Sequence, residues 1–323
     1  MKTRLTEALG IKYPIMCGGM LWVSTPKLCA AISEAGGLGD LTSAMYDSGE
    51  ELRAAIKETR KLTDKPFCVN VTLLPSFRVT DAMYDEYFAV CCEEKVAAME
   101  IGGKYAEKYM DKLHEAGVFV MHKVGALRHA KVAEKLGYDA VIAAGFEAGG
   151  HPLNDDVSTM SLTPLITQAV NIPVFSTGGI VDGRSLAAAL ALGSDGVMMA
   201  SRFMASKEAE IHDNIKNMVV ERNENETTMI CKTVGMQGRG LKNSNVKKIL
   251  ELESKGASIE EIGPLLAGTR LKECLQSGDL EEAVYFVGQS IGRIKEIKSC
   301  KDIMDTMVLE AQAILEEKVK LFA

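Results

Sequence analysis

Residues 172–203 read IPVFSTGGIVDGRSLAAALALGSDGVMMASRF. A short apolar run (172–177) meets Gly178-Gly179, an amphipathic stretch follows over 183–193, and a second apolar run occupies 195–200. Apolar run, turn, helix-period stretch and apolar run is the sequence form of a strand–helix–strand unit. Leu192-Gly193 places a glycine just past the helix, where a left-handed residue is needed. Outward from this stretch the rhythm recurs. Strand candidates lie at 12–16, 38–43, 67–73, 96–101, 118–122, 139–144, 172–177 and 195–200. Helical segments lie between them at 25–35, 49–62, 82–94, 104–116, 127–137, 163–170 and 183–193. Ala35-Gly36, Ala116-Gly117 and Leu136-Gly137 repeat the closing pair, and Ser48-x-x-Glu51 reads as a capping box. Alternation with short loops means a parallel sheet covered by helices. Eight units in about 205 residues predict an α/β fold of the closed (β/α)8 TIM-barrel type. An open doubly wound sheet is the alternative. Against it, no strand-G-x-G-x-x-G-helix signature marks the first turn, and Gly235-x-x-Gly238-x-Gly240 has the wrong spacing.

After residue 206 the rhythm changes. Segments 207–220, 245–254 and 258–267 read as helical, 221–228 is polar, and 302–320 is one long amphipathic helix. The expected organisation is a barrel over 1–206, a smaller, mainly helical substrate-side domain over 207–299 at the barrel mouth, and a C-terminal helix, 300–323, that returns to the barrel. The chain has 323 residues, 47% apolar and 25% charged, an ordinary soluble composition that needs no disulfide or metal staple. Eight cysteines form no C-x-x-C pair, which fits reduced thiols in a cytoplasm better than zinc ligation or disulfides. A net charge of −7 with no Lys/Arg block argues against nucleic acid. No run long enough to span a membrane is present, and the start, MKTRLTEALG, lacks the apolar core of a signal peptide.

Catalytic groups of such barrels sit at the C-terminal ends of the strands. That rule selects Gly18, Gly19 and Met20 after the first strand, Asn70 on the third, His122-Lys123 on the fifth, Gly145 to His151 after the sixth, Gly178-Gly179 after the seventh and Ala200-Ser201 after the eighth. The last two loops form the sharpest signal. Barrels bind phosphate there, and glycine lets backbone N–H groups approach an anion closely. The plainer alternative is that these glycines only turn the chain. His151, in a long loop after two glycines, is the catalytic candidate, because histidine exchanges protons near neutral pH. Its alternative is a loop histidine bonded to a carbonyl. One of His122 and Lys123 must point inward. An inward Lys123 needs an anionic partner, which an electron-rich cofactor edge would supply. His114, His129 and His212 fall in helical stretches as surface or structural residues, and the Met198-Met199 run reads as packing.

With these residues in hand, the chain resembles the FMN-dependent nitronate monooxygenase superfamily, which includes the flavin enoyl-ACP reductases and an NADH:quinone reductase group. The resemblance rests on Pro14 to Met20, Ala35-Gly-Gly37, Lys65 to Val71, Phe146-Glu-Ala-Gly-Gly-His151, Gly178-Gly-Ile180 and Ala200-Ser-Arg-Phe203. Leu73-Leu-Pro75, His122-Lys123, Arg128-His-Ala130 and Asp155-Asp156 bring it nearest to the quinone reductases. The resemblance implies FMN, with its phosphate at Gly178, Gly179, Ala200 and Ser201. Its ring would lie against Gly18, Gly19 and Met20, with Asn70 on the polar edge. Lys123 would face the N1/C2=O side. Gly149 and Gly150 would contact the cofactor, His151 would act near N5, and the loop of Pro75 would gate the nicotinamide. The sequence departs from the family pattern at Cys17, Glu100, Pro152-Leu153 and Ala200-Ser201.

Three activities follow from the resemblance: oxidation of nitronates with O2, hydride transfer from NAD(P)H through FMN to a quinone-like acceptor, and enoyl-thioester reduction. NADH or NADPH would be a transient co-substrate, since no dinucleotide-binding motif is present. From another class stand a phosphate-binding barrel without flavin and a flavin redox sensor. The expected partner is a small molecule, with no metal. The helical segment and last helix offer a homodimer surface.

Overall fold

The computed structural model describes residues 1–74, 78–152 and 155–322. All eight apolar runs form strands: β1 (Ile15–Cys17), β2 (Gly39–Thr42), β3 (Phe67–Leu73), β4 (Ala98–Gly103), β5 (Phe119–Val124), β6 (Ala140–Ala144), β7 (Val174–Thr177) and β8 (Gly196–Met199). They pair in parallel in the order β1-β8-β7-β6-β5-β4-β3-β2. A bridge between Met16 and Leu38, flanked by hydrogen bonds from Cys17 N to Leu38 O (2.9 Å) and Leu38 N to Ile15 O (2.9 Å), closes β1 onto β2. The result is the TIM barrel, not an open sheet.

The outer ring comprises α2 (Pro26–Glu34), α3 (Gly49–Leu62), α4 (Asp81–Glu93), α5 (Met110–Glu115), α6 (Leu127–Lys135), α7 (Thr159–Thr167) and α8 (Gly183–Ala191), preceded in the chain by α1 (Arg4–Leu9). Gly36, Gly117, Gly137 and Gly193 all take positive φ, from 77° to 97°, as their places past helix ends require. Ser48 caps α3 by accepting from Glu51 N, but Glu51 returns its carboxylate to Asp47 N rather than Ser48 N, so the box is half-formed. The helix read at 163–170 begins four residues earlier because Ser158 caps it, and Pro164 lies inside it. α1 was not anticipated. Thr3 and Thr6 form its capping box, and Leu5, Leu9 and Ile11 plug the lower end of the barrel.

Side-chain parity sorts the strands into two packing layers. Leu41, Val69, Val71, Met99, Ile101, Val120, Val124 and Val141 face the helices. Met16, Cys68, Ala98, Met121, Ile142, Phe175 and Met198 fill the interior with the α1 plug. Buried Asp40, Thr42, Asn70 and Glu100 share the parity of the interior residues on their strands, so a polar tier interrupts this core.

Beyond β8 come α9 (Ser201–Met204), α10 (Asp213–Glu221), α11 (Ser244–Ser254), α12 (Ile259–Leu266), α13 (Gly268–Ser277) and α14 (Cys300–Val319). Between α10 and α11 lies an antiparallel ribbon, β9 (Thr227–Ile230) with β10 (Gly238–Leu241), where only a polar stretch was legible. α14 packs along α8 and α2. Glycine at 183 makes this possible, since a Cβ there would come within 2.6 Å of Met307 O and Ala311 N. Among the described residues no helix is long and apolar enough to cross a membrane, and no His/Cys/Asp/Glu cluster is arranged to hold a metal.

Candidate active site

Where the C-terminal ends of the strands converge, a cavity of about 450 Å³ opens. Its lining includes Gly18, Gly19, Asn70, Lys123, Gly149, Gly150, His151 and Ala200, eight of the residues singled out from the sequence. Thr177 and Ala200 bring the β7 and β8 loops to it. Gly178, Gly179 and Ser201 adjoin these lining residues in the chain without lining the cavity themselves, and the Met20 side chain is buried in the core between barrel and C-terminal segment. Pro75 lies outside the described residues. A wider hollow of about 570 Å³ at the opposite end, between Leu9, Arg60, Lys65 and Lys95, sits on the face that serves stability in barrels.

β5 settles the choice between its two polar residues. Lys123 shares the parity of Met121 and points inward, while His122 is buried between Tyr105 and Tyr138, at ring-centroid distances of 4.6 and 4.9 Å. The anionic partner of Lys123 comes from the protein itself. Its Nζ lies 2.9 Å from Oε1 of fully buried Glu100 on β4. Burial works against the lysine's charge, but Glu100, and Asp40 beyond it, more than offset that and hold its pKa above the ordinary value. Asn70 Nδ2 donates to Glu100 Oε2, so its amide already has a protein partner. Asp40 is 1% exposed, and among the described residues neither of its oxygens meets a donor in hydrogen-bond geometry. Burial, then repulsion from Glu100, push its pKa well up, with Lys123 offsetting only part. One cation therefore faces two buried acids, and burial favours the protonated form of Asp40. Neither acid was singled out as a site residue. The signal was a lone acid within an apolar strand, at inward parity, near an inward lysine.

His151 is open to the cavity, its ring 5.2 Å from that of Phe286. Protein packed around it, and secondarily the charge of Lys123, push its pKa down to about 4, so the imidazole is neutral at pH 7. Among the described residues it makes no hydrogen bond, unlike the carbonyl-bound histidine weighed above. His114 pairs with Asp139 at 3.3 Å and His212 caps α10, both structural roles. His129, expected to be peripheral, reaches the cavity edge, as does Met198 beneath Gly18. Besides histidines, the charged residues of the lining are Lys104 and Lys123. Among the described residues no carboxylate lines the cavity.

The two glycine-bearing loops fit a phosphate. Gly178 and Gly179 have φ of 99° and 75°. A Cβ on Gly179 would meet nothing within 4 Å, so open space adjoins it. Among the described residues the N–H groups of Gly178, Gly179 and Ser201 donate to no protein acceptor. Unpaired backbone N–H groups, with open space at Gly179, are the donors that an anion site requires. Ser201 Oγ accepts from Gly288 N (3.1 Å), which leaves its proton free to donate. Glu147, in the His151 loop, accepts from Thr159 N (3.0 Å), and the Thr159 hydroxyl lies 2.9 Å from Gly178 O, tying that loop to Gly178.

The sequence profile of the nitronate monooxygenase family matches residues 2–108 and 84–310. The chain belongs to the nitronate monooxygenase family. It is an oxidoreductase of the FMN type. Over 96% of both chains it is 33% identical to (3aS,4S,5R,7aS)-5-hydroxy-7a-methyl-1-oxo-octahydro-1H-indene-4-carboxyl-CoA dehydrogenase of Rhodococcus jostii. FabK from Thermotoga maritima superposes with a TM-score of 0.93 at 39% identity over the whole of both chains. Nitroalkane oxidase from Streptomyces ansochromogenes gives 0.82 at 25% identity, over 96% of this chain and 99% of that one. Among the departures from the family pattern, Cys17 is fully buried, and burial raises its thiol pKa far above the ordinary value, so it is an inert filler.

Proposed function

We propose that the cavity binds FMN and oxidises small nitronates, with O2 as the electron acceptor. The observation that carries this reading is the make-up of the lining: Lys104, Lys123 and three histidines, with no carboxylate among the described residues. With Lys123 paired to buried Glu100, Lys104 and the unpaired backbone N–H groups are what this end of the barrel offers an anion. FMN, when bound, supplies the two-electron chemistry. The N–H groups of Gly178, Gly179 and Ser201 with the Ser201 hydroxyl would hold its phosphate. The backbone of Gly18, Gly19 and Met20, with Gly149 and Gly150, would flank its ring. Asn70, whose Oδ1 accepts a 3.4 Å bond from the Thr72 hydroxyl, would meet the ring's polar edge, and Lys123 would stand where negative charge accumulates. His151 would donate its free N–H to a nitronate oxygen. Residues 207–299 form the substrate side of this assembly, with 300–323 as a buttress.

A second reading is supported by the likeness to the CoA-thioester dehydrogenase and to FabK. In it, NAD(P)H is the donor and an enoyl thioester or quinone-like compound the acceptor. Protonating carbon after hydride delivery calls for an acid, and a ring with a pKa of about 4 is a poor proton reservoir at neutral pH. The nitronate reading asks only for a neutral donor. Anaerobic mixing of the FMN-loaded protein with propionate 3-nitronate, NADH and NADPH in separate cuvettes tests the choice. Bleaching of the flavin's visible band by the nitronate alone is the expected result. Bleaching by NADH or NADPH alone would move the activity to the reductase side.

A further inference from the structure

The loop that carries His151 is held by a part of the chain about 90 residues away. β10 bridges it in antiparallel fashion. Arg239 N donates to Gly150 O (2.6 Å), and Gly150 N donates to Arg239 O (3.2 Å). Gln237 Nε2 donates to Pro152 O (3.0 Å). The Arg239 guanidinium turns under the loop, where Nε donates to Phe146 O (3.1 Å) and the group stacks 4.3 Å from the Phe146 ring centroid. Another nitrogen donates to Thr227 Oγ1 on β9 (3.2 Å). On the other flank, a Cβ at Gly149 would fall within 2.8 Å of the Val287–Gly288 backbone, so the loop lies flush against that segment. The main chain is fixed at residues 146, 150 and 152, and the unbonded ring of His151 stands between the last two.

This fixation uses a group that burial disfavours. Arg239 is 2% exposed, and among the described residues its remaining nitrogen has no hydrogen-bond partner. Glu147 and Asp156 act on it only at longer range, and burial lowers its pKa. A buried guanidinium without a direct carboxylate partner is a poor stabiliser of a fold. Its rigid planar fork, however, can join two backbone segments and a ring face at once. We infer that Arg239 is a positioning residue: through the ribbon β9–β10 it sets the height and orientation of His151 over the cavity. This rests on His151 meeting the substrate, as read above.

The test uses FMN-loaded full-length protein with 13C-labelled histidine, the His151 resonance being assigned by its loss in His151→Ala. In the unmodified protein the ring titrates near 4. In Arg239→Met the loop loosens, and the titration moves up toward the ordinary histidine value near 6.5. Turnover falls roughly tenfold or more, with flavin affinity unchanged within about twofold. Arg239→Lys recovers part of the shift, since lysine keeps the charge without the fork. Gln237→Ala, which removes only the bond to Pro152, moves His151 the same way by less and covers the case in which Arg239→Met does not fold. An unmoved His151 titration in a folded Arg239→Met, or in Gln237→Ala should the former not fold, overturns the inference. A moved titration with full turnover leaves the clamp standing and removes His151 from the reaction instead.

Discussion

His151 is neutral at physiological pH because protein crowds it and Lys123 repels a second positive charge nearby. Activity that uses the neutral ring holds level from about pH 9 down to about pH 5 and falls as the ring takes up a proton near 4. A fall centred near 6.5 would mean an unperturbed ring. His151→Ala lowers turnover on the order of 100-fold and leaves flavin bound. If flavin and activity fall together, the residue is structural. Asp40 titrates in the opposite sense. Its pKa is raised in the folded chain, so the folded state keeps a proton that the unfolded state loses. Stability therefore declines as pH climbs from the ordinary aspartate value toward the folded one. Asp40→Asn cannot ionise, and its Tm exceeds that of the unmodified protein by roughly 2–4 °C at about pH 8, with a smaller gain at about pH 5. A lower Tm at about pH 8 would show that the Asp40 carboxylate is stabilising there.

Between elements, β4 and β5 are joined across the interior by the Lys123–Glu100 pair. Removing one partner of such a pair is costlier than removing both. Lys123→Met loses about 3 kcal/mol in chemical denaturation, and adding Glu100→Gln recovers most of it. A double variant whose loss equals the sum of the losses of Lys123→Met and Glu100→Gln would mean that the pair is not coupled. The eight strands were legible because each is a short apolar run bounded by turn residues, and the glycines past the helices marked where each helix stops. Inward-facing Lys123 was legible only as one of two choices, since His122 and Lys123 adjoin in sequence and only strand parity separates them. The ribbon β9–β10 was hidden because Thr227–Ile230 and Gly238–Leu241 are four residues each, the second with two glycines, and carry no period. Without the ribbon, the tie from Arg239 to Gly150 had no local signal at all.

At the scale of the molecule, the barrel is built to leave one end open. α1 closes the lower end with Leu5, Leu9 and Ile11, and Arg4 locks it there through Asp195 at 2.6 Å. Leu5→Ala loses about 2–4 kcal/mol, read from denaturant midpoints, because no space-filling neighbour replaces a fully buried side chain at the plug. A loss well below 1 kcal/mol would show the plug to be loose. The upper end opens into a cavity with no carboxylate among its described lining, beside the unpaired N–H groups of Gly178, Gly179 and Ser201. Those donors are the centre of the account, and the most direct test is to titrate flavin-free protein with FMN and with riboflavin, following flavin fluorescence. The two ligands differ only in the phosphate. Charge-assisted bonds to the phosphate predict that riboflavin binds on the order of 100-fold more weakly, about 3 kcal/mol. Equal affinity for the two would contradict the placement of the phosphate at Gly178, Gly179 and Ser201.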